Sequence, residues 1–261
     1  MVKKGYVDIP EGQVHYQTDG SGENLLLLHQ SPMSSDEFAD MIPILAKNCR
    51  VVAMDTLGHG NSDDPPHEYE IEDFARSVIS FLDALGINKT SIVGHHTGAV
   101  IAVEVAAAYP KRVDKIILSG CPVLRPEEWQ ALLSQPMSRD LEMTHDGRFL
   151  NKKWEKYMSM SHHVNPELWF KPFIISLKAR TRPYDAHFAV ARYDIKPRLH
   201  LIKSPTLVIS GSEDMFLNQL ESTKSLLRRC TARVIEGGGV FVCFEKPKEF
   251  AQVILDFLMT D

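Results

Sequence analysis

Short runs of consecutive apolar residues alternate along the chain with longer stretches whose apolar positions recur every three or four residues. Val14–Thr18 and Leu25–Leu28 read as strands, the second buried on both faces because all four of its positions are apolar. Asp36–Lys47 reads as a helix with Phe38, Met41, Ile42 and Leu45 along one face. Arg50–Met54 is a further buried strand, closed by the turn Asp55-Thr56-Leu57-Gly58-His59-Gly60. Ile71–Leu85 predicts a helix that turns Phe74, Val78, Phe81, Leu82 and Leu85 inward and stops at Gly86. Strand Ser91–Val93, helix Thr97–Ala108 (halted before Pro110) and strand Val113–Leu118 follow. Near the C-terminus Thr206–Ser210 and Ala232–Ile235 read as strands and Lys248–Met259 as a closing helix. The alternation predicts the α/β class, a mostly parallel sheet covered by helices on both faces.

Residues 121–200 interrupt this rhythm. Trp129, Trp154 and Trp169 all fall there, with Met137, Met143, Met158 and Met160, and no strand pattern is visible. The segment reads as a helical cap inserted between two strands, leaving 1–120 and 201–261 as the core. Its Met and Trp side chains predict an apolar chamber for a small-molecule substrate, although ordinary helix packing also accounts for them. A net charge of −5 supplies no basic field for nucleic acid or an anionic membrane surface. The longest aliphatic run, Leu25–Leu28, is far short of the roughly 20 residues of a membrane span. No apolar core follows Lys3 and Lys4, so no secretory signal is expected. Cys49, Cys121, Cys230 and Cys243 are widely spaced, which predicts reduced thiols and a cytoplasmic location. Nothing in the pattern speaks to oligomeric state.

The chemistry concentrates where strand Ser91–Val93 runs into Gly94-His95-His96-Thr97-Gly98-Ala99 and directly into a helix. Such a strand-to-helix turn needs glycines where the backbone is approached closely, and it lifts its central residue, His96, to the C-terminal edge of the sheet. Four further segments resemble those of the α/β-hydrolase-fold family, in the family's order. His29-Gln30-Ser31-Pro32 resembles its H-G-x-P oxyanion loop, and Asp55-x-x-Gly58-x-Gly60-x-Ser62 its D-x-x-G-x-G-x-S turn. Gly211-Ser212-Glu213-Asp214 resembles the segment that supplies the acid of the triad. Gly237-Gly238-Gly239-Val240, with Glu245-Lys246-Pro247 after it, resembles the segment that supplies the catalytic histidine. The resemblance implies an α/β-hydrolase fold with a nucleophile at position 96, an acid at 214 and a base at 240.

Two of those positions depart from the family, since His96 replaces its serine and Val240 its histidine. The usual mechanism needs a hydroxyl activated by an imidazole that an acid orients, so a serine-esterase mechanism is not expected. The departures are complementary, because one adds an imidazole where the other removes one. They predict that His96 leans into the vacated space and meets Asp214, directly or through one water. An imidazole oriented by a carboxylate is a competent general base near neutral pH. The backbone N–H groups of Ser31 and Thr97 are the expected oxyanion donors. Gln30 stands where the family has glycine and adds a side-chain amide beside the pocket.

Candidate substrate contacts are Gln30, His29, Val240, Trp154 and His187, with Arg180, Arg182 and Tyr184 in the cap as further candidates. His29 also reads as a structural hydrogen-bonding group, His95 as a packing residue and Cys121 as a buried thiol. Neighbouring His162 and His163 point apart on a helix, and no ligand spacing accompanies them, so no metal is expected. Gly237–Gly239 lacks the Lys-Ser/Thr ending of a phosphate loop and reads as a tight turn; no cofactor is expected. The leading expectation is hydrolysis of an ester, lactone or similar carbonyl, apolar or aromatic, with His96 as base or nucleophile. Proton abstraction by His96 and Asp214 in a cofactor-free lyase, isomerase or oxygenase is a second route, and a non-catalytic ligand-binding protein is the alternative of another class.

Overall fold

In the computed structural model, residues 1–134, 144–159, 165–178 and 185–260 are described. Met137, Met143, Met160, His162, His163, Arg180, Arg182 and Tyr184 lie outside them. One eight-stranded sheet runs β1 (Lys3–Ile9), β2 (Gly12–Asp19), β4 (Arg50–Met54), β3 (Asn24–Leu28), β5 (Thr90–His95), β6 (Val113–Ser119), β7 (Thr206–Gly211), β8 (Cys230–Ile235). From β4 onward every pair is parallel, while β2 is antiparallel to both β1 and β4.

Period-two alternation divides the strands between two cores. Leu26, Leu28, Val52 and Met54 face one cluster, and Leu25, Leu27, Val51 and Ala53 face the other. Helices α2 (Ile71–Ala84) and α3 (Thr97–Ala108) cover the first face, and α1 (Ile42–Leu45) and the C-terminal helix (Pro247–Leu258) cover the second. Each fully buried aliphatic side chain contributes about 1.5–3 kcal/mol, so Leu25–Leu28 of β3 anchor the middle of the sheet to both cores.

One local expectation is corrected, and one strand was not expected. The helix expected over Asp36–Lys47 is a 3-10 turn at Ser35–Phe38 followed by the single turn α1. Pro43 lacks an N–H and fits only near a helix start, and the Ala39 and Met41 N–H groups bond three residues back, to the Asp36 and Phe38 carbonyls, rather than four. Phe38, Met41, Ile42 and Leu45 are buried all the same, so the periodicity had identified the inward face but not the backbone. Strand β1 had no apolar signature because most of its side chains are exposed; residue-by-residue pairing with β2 creates it.

Between β6 and β7 lie α4 (Pro126–Ser134), α5 (Arg148–Ser159), α6 (Pro166–Leu177), α7 (Asp185–Arg192) and α8 (Ile195–Leu199), with no strand among the described residues. Their large side chains are largely core pieces. Trp129 joins the first cluster, and Trp169 packs edge-on against Phe241 at 4.7 Å in the second. Trp154 meets Phe173 at 5.2 Å and Phe170 at 6.4 Å, in an aromatic layer between α5 and α6.

Candidate active site

His96 stands between β5 and α3 with φ 48° and ψ −109°, the one non-glycine residue of positive φ among the described residues. A side chain held there costs on the order of 1–3 kcal/mol and persists only where its surroundings fix it. The His96 N–H donates to the Ser119 carbonyl at 2.9 Å, and its own carbonyl accepts the N–H groups of Ala99 and Val100, opening α3. The flanking glycines are steric requirements: a Cβ on Gly98 would strike the Leu28 carbonyl, and one on Gly94 the Gly98 backbone.

The imidazole turns toward β7. His96 Nε2 lies 2.8 Å from Asp214 Oδ2, with 8% of His96 and 6% of Asp214 exposed, so the contact is direct and nearly dry. Burial alone would raise the Asp214 pKa; the His96 charge and hydrogen bond, with the Phe216 N–H on Oδ1 at 2.8 Å, reverse that and hold it down to about 2. Phe216 tilts against the His96 ring at 5.1 Å. Gly120 (φ 55°) leaves the space the ring occupies: a Cβ there would stand 2.9 Å from Asp214 Oδ2 and closer still to His96 Cδ2 and Nε2. With Nε2 given to the carboxylate, Nδ1 is the nitrogen left for chemistry. Among the described residues it makes no hydrogen bond.

The loop after β3 lies beside this pair. Ser31 N–H donates to Thr97 Oγ1 at 3.4 Å, a long bond that ties the two expected oxyanion residues together. Ser31 Oγ pairs with His59 Nε2 at 3.1 Å, and His59 Nδ1 faces Thr56 Oγ1 and the Leu57 carbonyl. Burial first, then the charge of His29, pushes the His59 pKa down to about 3, so His59 is a neutral ring near pH 7. His29 is 1% exposed; its Nδ1 donates to the Gln30 carbonyl at 2.8 Å and its Nε2 accepts the Thr56 N–H at 3.0 Å. Both ring nitrogens are thereby occupied, which is the structural alternative for His29 rather than a substrate contact.

Gln30 and Val240 meet through backbone and amide. Gln30 Nε2 donates to Glu37 Oε1 at 2.9 Å and to the Val240 carbonyl at 3.1 Å, while the Gln30 N–H donates to Glu37 Oε2 at 3.0 Å. His95 Nε2 donates to the same Val240 carbonyl at 3.0 Å, and Ser119 Oγ sits 3.0 Å from His95 Nδ1. Burial raises Glu37 to about 8 despite the two Gln30 hydrogen bonds, so it is a neutral acid at pH 7. Glu37, His95 and Cys243 bring ligand-type atoms within 4.8 Å of one another, all buried. Both Glu37 oxygens and both His95 nitrogens already hold hydrogen bonds, which leaves a packed polar core rather than an open ligand set.

Of the remaining candidates, Trp154 belongs to the aromatic layer, and His187 on α7 acts electrostatically on His59. Cys121 is buried and its thiol is pushed up to about 12, which fits an inert core residue. Glu37, His59, Gly120 and Phe216 escaped the sequence reading. Glu37 is an acidic residue in an amphipathic run and reads as solvated; His59 lay in plain view inside its turn motif, without a partner to suggest a role.

The comparisons agree with this architecture. A family model for the alpha/beta hydrolase fold matches residues 23–247. A 2-hydroxy-6-oxononadienedioate/2-hydroxy-6-oxononatrienedioate hydrolase of Paraburkholderia xenovorans is 26% identical over 97% of this chain and 94% of its own length. Bifunctional epoxide hydrolase 2 of Mus musculus is 35% identical over 130 residues, 48% of this chain and 24% of that longer protein. The crystal structure of the enol-lactonase from Burkholderia xenovorans superposes with a TM-score of 0.81 at 24% identity, covering 98% of this chain and 100% of the other. With the family model spanning most of the sequence and the sheet order, elbow and acid segment in place, the chain belongs to the alpha/beta hydrolase fold family.

Proposed function

We propose that this chain is an enzyme of the hydrolase superfamily that hydrolyses a small ester- or lactone-type carbonyl compound, with His96 as general base in place of serine chemistry. The observation that carries the reading is the 2.8 Å contact between His96 Nε2 and Asp214 Oδ2. A carboxylate on one imidazole nitrogen fixes the tautomer and makes the other nitrogen basic, as in the serine triad, but here with the two nitrogens exchanged. His96 Nδ1 takes a proton from water as the oxygen attacks the carbonyl carbon. The carbonyl electrons move to its oxygen, which the N–H groups of Ser31 and Thr97 receive once the Thr97 hydroxyl turns away. Collapse of that oxyanion breaks the bond to the alkoxide, and the imidazolium returns its proton to the leaving oxygen. The relatives, several of them named as hydrolases of carbonyl compounds, support the reaction class.

Four free cysteines, three of them buried, support a reducing compartment such as the cytoplasm, and no helix among the described residues is long and apolar enough to cross a membrane. Burial of the dyad and the Ser31 N–H already paired with Thr97 favour a second reading, a non-catalytic ligand-binding protein. One experiment separates the two: a panel of aryl and alkyl esters and lactones assayed with the wild type and His96→Ala. Hydrolysis that His96→Ala lowers by roughly 10²-fold or more is expected for a base of this kind. Activity equal in the two proteins would rule out the base assignment, and activity absent from both would leave ligand binding.

A further inference from the structure

A cavity of about 280 Å³ opens beneath the connection from β4 to α2, and the His59 ring that lines it also bonds the Ser31 hydroxyl. Its floor is Leu57, His59, Tyr69, Phe74 and, from α7, Ala186, each at most 3% exposed. Asp64 and His67 stand exposed at its rim. An apolar protein cavity of about 150 Å³ holds a benzene molecule, so this space suits one substituted ring.

We propose that this cavity binds a neutral aryl group. The chemistry of the lining makes the choice. Both His59 nitrogens are already hydrogen-bonded to Ser31, Thr56 and Leu57, so a ligand meets the carbon edge and face of a neutral ring. Tyr69 and Phe74 pack edge-on at 5.1 Å and line the same floor, which gives a ring two further aromatic surfaces. Among the described residues no lysine or arginine lines the space, and the Asp64 carboxylate stands at its mouth, so a neutral ring is favoured over a carboxylate. The cavity is joined to the elbow by hydrogen bonds: His59 holds the Ser31 hydroxyl, and the Ser31 N–H reaches Thr97, the residue after His96. Trp129 and Trp169 are packed away, and Ala186 is the contribution of α7.

The test uses 4-fluorophenol as the neutral probe and 4-fluorobenzoate as the anionic one, read by fluorine NMR line-broadening on the intact protein. Fluorophenol should bind in the millimolar range or tighter and benzoate at least about tenfold more weakly. Ala186→Leu, which fills the floor, should weaken fluorophenol by about tenfold or more, and the milder Leu57→Phe serves if that variant does not fold. Equal binding of the two probes, no fluorophenol binding, or binding that neither substitution changes would overturn the proposal. Binding is measured without turnover, so an inactive His96→Ala protein that still takes fluorophenol separates a failure of the catalytic reading from a failure of this one.

Discussion

Adding one methyl group at Gly120 tests whether the His96 ring is held where the geometry places it. Gly120 has φ 55°, and a Cβ there would intrude on His96 Cδ2 and Nε2 while standing 2.9 Å from Asp214 Oδ2. Two terms add up in Gly120→Ala. A left-handed backbone costs an alanine about 1–2 kcal/mol, and forcing a methyl into a filled site costs about 1–3 kcal/mol more. The sum, about 2–5 kcal/mol, corresponds to a fall in Tm of roughly 4–20 °C for a chain of this size. In a His96→Ala background the ring is gone and mainly the backbone term remains, so the same substitution should cost only about 1–2 kcal/mol. The cycle of four proteins, measured by urea denaturation with matched m-values, should therefore show a coupling of about 1–3 kcal/mol. Additive effects, agreeing within about 0.5 kcal/mol, would refute the placement of the imidazole against Gly120 and with it the direct contact to Asp214.

Asp214→Asn should lower kcat on the order of 10³-fold with little change in KM, because an amide no longer fixes the His96 tautomer or balances an imidazolium; a loss expressed only in KM would contradict that role. Asp214 stays ionised down to about pH 2, so an acid limb of the pH–rate profile above pH 3 belongs to another group, and its stabilising contribution should fade only as pH falls from about 4 toward 2. Glu37 behaves in the opposite sense. Its folded pKa is raised from 4.5 to about 8, so its contribution is fully present below pH 4.5 and is lost as pH rises through 8, on the order of 5 kcal/mol across that window. Glu37→Gln should abolish this slope in urea-denaturation stability between pH 5 and 9, and an unchanged slope would assign it to other groups.

Local pattern carried most of the backbone. Helix α3 begins and ends where the Gly94–Gly98 turn and Pro110 demand, and β3 is buried because four consecutive leucines admit no solvent face. Strand β1 and the broken segment after Ser34 were hidden, since β1 comes from pairing with β2 and the segment after Ser34 bonds three residues back, neither of which shows in their own periodicity. The site divides in the same way. Sequence alone determined that an imidazole stands at the elbow, that none stands at position 240, and that Asp214 follows β7, because each of these is an identity at a motif position. Tertiary structure decided which His96 nitrogen faces the acid, that Gly120 makes room for the ring, that His95 and Gln30 clasp the Val240 carbonyl, and that a cavity lies beside His59. Those facts join residues far apart in the chain, 118 positions for His96 and Asp214 and 210 for Gln30 and Val240, and no short-range periodicity records which distant atoms the sheet will bring within hydrogen-bonding distance.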